Sequence, residues 1–166
     1  IINGGFEQEE GWYLPVTMYS AGYDVNLLKE AAASYSTAEV HSGNRSMRTG
    51  IVEPQKNIYS YSSAWQQVSI PPDAQKAELT YWAFQQSLNG IDGYDLQMMI
   101  VLNQNKQELQ RFLNERADSR AWKSYTYDLK KFAGQTFWVY FGTYNNGWGS
   151  VMGMYIDDVS LLICKP

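Results

Sequence analysis

Cysteine and histidine are almost missing from this sequence, and their scarcity excludes several chemistries at once. Among the 166 residues, Cys164 is the single cysteine and His41 the single histidine. One cysteine allows no internal disulfide and no cysteine-based zinc site. His41 stands in His41-Ser42-Gly43-Asn44, where glycine and asparagine spell a tight turn. A Ser-His-Asp or Cys-His device would have to run through that turn, and no Gly-x-Ser-x-Gly elbow or cysteine beside a base accompanies it. His41 therefore reads as a surface turn residue. Positive charge is also short: 13 Lys and Arg against 17 Asp and Glu leave a net charge of −4, with no basic stripe. That balance offers nothing to displace counterions from a phosphate backbone, so nucleic acid is excluded as a partner. No apolar run approaches the roughly 18 residues of a membrane helix. A secretory leader is lacking too, because Ile1 leads straight into Asn3-Gly4-Gly5-Phe6-Glu7. The chain is expected to be processed or cut from a longer protein.

What is abundant is aromatic. Six Trp, 13 Tyr and 6 Phe make 15% of the chain, while a hydrophobic share of 45% argues against disorder. The length suits a single domain spanning 1–166. Helical periodicity is nearly absent and period-two alternation dominates. Strands are expected at 45–51, 64–70, 77–87, 94–103, 108–114, 122–128, 136–144 and 154–163, with turn signals such as Pro71-Pro72-Asp73 between them. The one helix-like stretch, 25–33, is expected to be a short turn or loop insertion. Eight regularly spaced strands predict an all-β fold, a sandwich of two antiparallel sheets.

Several motifs sharpen that expectation. Asn3-Gly4-Gly5-Phe6-Glu7, His41-Ser42-Gly43-Asn44-Arg45-Ser46 and Ile156-Asp157-Asp158-Val159-Ser160-Leu161 occur together, with Trp65-Gln66-Gln67-Val68-Ser69-Ile70-Pro71 and Asp128-Leu129 between. The set resembles the galactose-binding-like jelly roll, a group of carbohydrate-binding modules and accessory domains of secreted bacterial hydrolases and proteases. The resemblance covers nearly the whole chain and speaks to fold more than to ligand. It implies a structural calcium ion held by Glu7 and Asp157, with the 42–46 turn supplying carbonyls. Calcium takes about 6–8 oxygen ligands, and joining the first segment to the last strand would stabilise a fold without disulfides. Asp158 is the poorer candidate, because in an extended segment it points to the opposite face. In the competing arrangement Glu7 and Asp157 cap turns or pair with Arg45 or Arg48.

The resemblance also implies that 64–70, 136–144, 94–103 and 108–114 share one sheet. Alternation then assigns Leu96, Met98, Ile100, Leu102, Phe137, Val139, Phe141, Val68 and Ile70 to the interior. It leaves Trp65, Gln67, Gln97, Trp138, Tyr140 and Tyr144 on the solvent side, with Trp148 at the rim. Aromatic rings flanked by amides suit a glycan, since pyranose C–H faces stack on Trp and Tyr while amides meet the hydroxyls. The N-terminal segment, with Trp12, Tyr13, Tyr19 and Tyr23, or a neighbouring domain could instead cover this face. Trp82 and Phe84, on the other sheet, are expected to pack against that N-terminal segment.

Three functions compete. The first is a secreted, non-catalytic carbohydrate-binding module with structural calcium. The second is a structural or adhesive accessory domain of a secreted protease or surface protein without a sugar site. A glycosidase is the weakest, because it needs two carboxylates about 5–10 Å apart and only Asp95 and Glu108 come near the face.

Overall fold

The computed structural model describes residues 1–15, 29–90 and 94–166, among which nine strands form two antiparallel sheets. One sheet runs in the order β1 (Ser34–Ser36), β2 (Ser46–Gly50), β9 (Val151–Cys164), β4 (Lys76–Leu88) and β7 (Trp122–Asp128). The other runs β3 (Tyr59–Ser69), β8 (Thr136–Asn146), β5 (Leu96–Leu102) and β6 (Glu108–Glu115). This is the jelly-roll sandwich that alternation and the motifs predict, and the four strands expected to share a sheet do so. β1 escapes sequence reading because three residues, Ser34-Tyr35-Ser36, are too few to show a period. Of the helix-like stretch, 29–31 are helical and 25–28 lie outside the described residues, as do Tyr19 and Tyr23.

The core fills the space between the sheets. Phe137, Val139 and Phe141 of β8 meet Leu79, Tyr81 and Ala83 of β4 and Met154 and Ile156 of β9, all at most 0% exposed. Trp12 enters the same core, its ring 5.0 Å from Phe6 and 6.0 Å from Phe141, with its indole N–H donated to the Asn3 carbonyl. Val68 and Ile70 point inward as expected.

On β5 the expected facing is inverted. Met99 and Val101 belong to the inter-sheet core, whereas Met98, Ile100 and Leu102 join Tyr140, Trp65, Leu96, Trp138 and Tyr144 in a separate apolar layer. The strand reads Leu-Gln-Met-Met-Ile-Val-Leu, apolar everywhere but at Gln97. A strand that is apolar on both sides carries no alternation to betray its facing. Gln97 goes inward because partners wait there: its amide oxygen accepts from Gln85 Nε2 and the Ala117 N–H, both at 3.0 Å. Its amide nitrogen donates to the Gly153 and Ala117 carbonyls at 3.0 and 3.1 Å.

Candidate functional site

The outer side of the four-stranded sheet is a grid set by register. Tyr61, Tyr144 and Leu96 lie opposite one another across β3, β8 and β5; Ser63, Gly142, Met98 and Asn114 form the next row. Trp65, Tyr140, Ile100 and Arg111 follow, then Gln67, Trp138, Leu102 and Glu108. Aromatic rings occupy the β3 and β8 columns and aliphatic chains the β5 column. The Trp65 ring stands 5.2 Å from Tyr140 and 6.1 Å from Trp138, while Tyr61 and Tyr144 are 4.6 Å apart. Gly142 makes room in the middle, since a Cβ there would strike the ring of Tyr140, which lies over it. Burial and a hydrogen bond with Tyr59 push the Tyr144 phenol up to about 12.

The edges add two groups, a tyrosine of the N-terminal segment that sequence offered as cover for this face and a lysine that it missed. Tyr13 forms an isolated antiparallel bridge with Trp65, exchanging hydrogen bonds of 2.8 and 2.9 Å, and the two rings meet edge to face. Lys106, from the β5–β6 hairpin, places its ammonium 5.2 Å from the Trp65 ring and 5.3 Å from Tyr13. Only the topology brings Lys106 here; nothing around it in sequence marks it. At the opposite end Trp148 is 79% exposed and Tyr94 68%. Of the expected binding residues, the sheet gathers Trp65, Gln67, Trp138, Tyr140 and Tyr144 on one face, but Tyr140, expected at the solvent, is buried at 8% exposure, packed over Gly142 and against Trp65. Gln97 is not among them: it is fully buried between the sheets.

The carboxylates near the chain's start and end converge on the 41–45 turn. Glu7 Oε1 accepts the Asn44 and Arg45 backbone N–H groups at 2.8 and 3.1 Å, and those bonds lower its pKa. Asp157 Oδ2 accepts the His41 and Ser42 N–H groups at 2.9 and 3.1 Å, and Oδ1 that of Asp158 at 2.8 Å. Burial raises the Asp157 carboxyl and these three bonds pull the other way. The turn therefore presents N–H groups, where the calcium expectation asks for carbonyls. Glu7 Oε2, with one long 3.3 Å bond from Asn44 Nδ2, and Asp157 Oδ1 each keep a lone pair for a cation. Asp158 does not point away as simple alternation requires. Its φ of +50° accompanies a register shift of β9 on β4 between Thr80 and Trp82. The kink brings its carboxylate to the same turn, where it meets His41 Nδ1 at 2.6 Å and Ser42 Oγ at 2.7 Å.

No protein-family model matches the chain, and no curated protein matches it in sequence. Solved structures do match over its whole length. The module TmCBM61, solved with β-1,4-galactotriose, superposes with a TM-score of 0.65 at 15% identity, over 99% of this chain and 97% of that one. The shared fold is a jelly-roll β-sandwich. The CBM22-1 xylan-binding domain from Paenibacillus barcinonensis agrees, with a TM-score of 0.59 at 11% identity over 98% and 93%. So does the enzymatically active domain of bacteriophage CBA120 tailspike protein 4, at 0.58 and 13% identity, where 99% of this chain covers only 21% of the phage protein. In this jelly roll the two carboxylates that sequence placed near the face are engaged: Asp95 is buried and accepts the Asn146 N–H at 2.8 Å, and Glu108 pairs with Arg111 at 2.7 Å. Among the described residues no helix is long and apolar enough to cross a membrane.

Proposed function

We propose that the chain is a non-catalytic carbohydrate-binding module that holds a glycan against the outer face of β3, β8, β5 and β6. One observation carries this reading: the sheet bears a second apolar layer, Trp65, Trp138, Tyr140 and Tyr144 beside Met98, Ile100 and Leu102, on the side away from the core. Met98, Ile100, Leu102 and Tyr140 lie buried in it, while Trp65, Trp138 and Tyr144 keep part of their rings at the surface for a ligand to meet. Tryptophan and tyrosine offer flat surfaces to sugar C–H groups, Gln67 lies in the same grid, and Lys106 supplies a charged donor at the edge. The carbohydrate-binding modules of the same fold support the reading, and a polysaccharide ligand in turn places the protein outside the cytoplasm. Affinity electrophoresis against galactan, xylan and mixed-linked β-glucan tests it. Retardation that Trp65→Ala and Trp138→Ala abolish is the expected result. Blank gels across the panel overturn it in favour of an accessory domain whose face packs against a neighbour.

The calcium reading rests only on the lone pairs left on Glu7 Oε2 and Asp157 Oδ1, because the 41–45 turn directs N–H groups rather than carbonyls at these carboxylates. A melting temperature raised several degrees by millimolar calcium and lowered by chelator supports it. An unchanged value refutes it and leaves the backbone N–H clasp as what holds the turn.

A further inference from the structure

The opposite side of the molecule carries a second aromatic cluster, built differently. On the outer face of the five-stranded sheet, Trp122 of β7 lies across from Phe84 of β4, and Phe84 across from Tyr155 of β9. One row along, Trp82 lies between Ser124 and Asp157. Among the described residues, Trp82 and Phe84 make no ring contact with the N-terminal segment on which they were expected to pack. The His41 ring stacks on Trp82 instead, 4.0 Å away and 18° from parallel, and meets Trp122 edge-on at 5.5 Å. Phe84 stands 5.8 Å from Trp122.

The histidine is pinned at both ends. Asp157 accepts its backbone N–H, and Asp158 accepts from its ring Nδ1 at 2.6 Å. That bond holds the ring in place and leaves Nε2 outside it. The indole N–H groups of Trp82 and Trp122 have no acceptor among the described residues, and neither is sealed from solvent. The patch thus combines two partly exposed indoles and a phenyl ring with two unspent indole N–H groups, the ring nitrogen Nε2 of a held His41 and the Ser124 hydroxyl.

We infer that this patch is a second glycan-binding site, which makes the module bivalent with its sites on opposite sheets. The choice of ligand class rests on the glycan reading above; the placement does not. An apolar protein surface seated here would bury two indole donors and an imidazole nitrogen without partners, which disfavours it. A pyranose avoids that loss, because it sets a C–H face against the rings and carries hydroxyls around its rim to meet N–H and nitrogen. The pinned His41 also spares the ordering that a free side chain would undergo on binding.

The indole N–H resonances of the full chain, assigned with single Trp→Phe variants, report each site separately. The probes are β-1,4-galactotriose, xylotetraose and a β-1,3-1,4 mixed-linked tetrasaccharide. The expected result is that one of them shifts the Trp82 and Trp122 resonances in a saturable titration. Trp122→Ala should weaken those Trp82 shifts at least tenfold without altering any shift at Trp65 or Trp138. Trp122→Phe, which keeps the packing, serves if the alanine variant misfolds, and should weaken binding while retaining the fold. Shifts confined to Trp65 and Trp138 overturn the second site and leave the first intact. Shifts confined to Trp82 and Trp122 uphold it while refuting the first. No shift at any indole with any probe refutes both.

Discussion

Replacing Gln97 by alanine separates a scaffold role from a binding role. The side chain is fully buried and makes four hydrogen bonds of 3.0–3.1 Å, two accepted by its oxygen and two donated by its nitrogen. Truncation strands the Ala117 N–H, which costs about 1–3 kcal/mol for a buried donor left unmet. The Gln85 amide suffers less, because it also donates to Glu115 Oε2 at 3.0 Å. The void left by the missing amide adds a further loss of about 1–2 kcal/mol where the surroundings do not collapse. The total is about 2–5 kcal/mol, a large fraction of the roughly 5–15 kcal/mol that holds a typical domain together. Urea titration followed by tryptophan fluorescence should show a much lower midpoint at an unchanged slope. For a chain of this size, the melting temperature should fall by about 4–20 °C. Affinity for any glycan, measured where both proteins are fully folded, should not change. A loss below 1 kcal/mol together with weakened binding would return Gln97 to the solvent face and refute the facing of β5.

Further expectations address other parts of the molecule. Trp138→Ala should weaken glycan binding by about 1–3 kcal/mol, read by calorimetry. Trp138→Phe should cost no hydrogen-bond energy in a melting experiment, because the buried Trp138 Nε1 has no partner to lose. Gly43→Ala should destabilise the domain by about 1–2 kcal/mol, since Gly43 has φ +66° and its new methyl would drive into the Glu7 carboxylate. A melting temperature equal to the parent's would show that Glu7 does not clasp the turn. At high pH the raised phenol of Tyr144, pushed up to about 12, predicts a late-titrating class in absorbance near 295 nm, smaller in Tyr144→Phe. The sign follows from linkage: a phenol protonated longer in the folded than in the unfolded chain stabilises fully below the usual value near 10. That contribution is lost as pH climbs through 12.

What sequence could read here depended on contrast between neighbours. β8 alternates Phe137, Trp138, Val139, Tyr140 and Phe141 with aliphatic and large aromatic chains, and motif context settled which set faced inward. β7 was legible to the residue, because polar and aromatic positions trade places along Trp122–Asp128. β5 failed for want of contrast, and the deciding residue, Gln97, looked polar and therefore exposed. Its true environment is a set of acceptors and donors brought from β4, β9 and the 117 region, none of them near it in sequence. Asp158 failed for a local reason. A left-handed residue inside a strand breaks the parity on which every assignment beyond it depends, and aspartate is among the few residues that adopt that conformation readily. His41 was read as a turn residue, which it is, but its stacking on Trp82 depends on where the turn folds down.

Tyr140 rests on Gly142, so the floor of the aromatic face is held at its level by a side chain that does not exist. A methyl group there would lift the ring away from the sheet and tilt it against Trp65, though no sugar would ever touch residue 142. On the proposed glycan face, ligand preference would therefore be adjustable from beneath. Lineages that exchange glycine for alanine or serine at this one backbone position would reshape the stacking plane while keeping every ring and amide in place. Surveys that compare only the visible aromatics of such modules would score these proteins as identical.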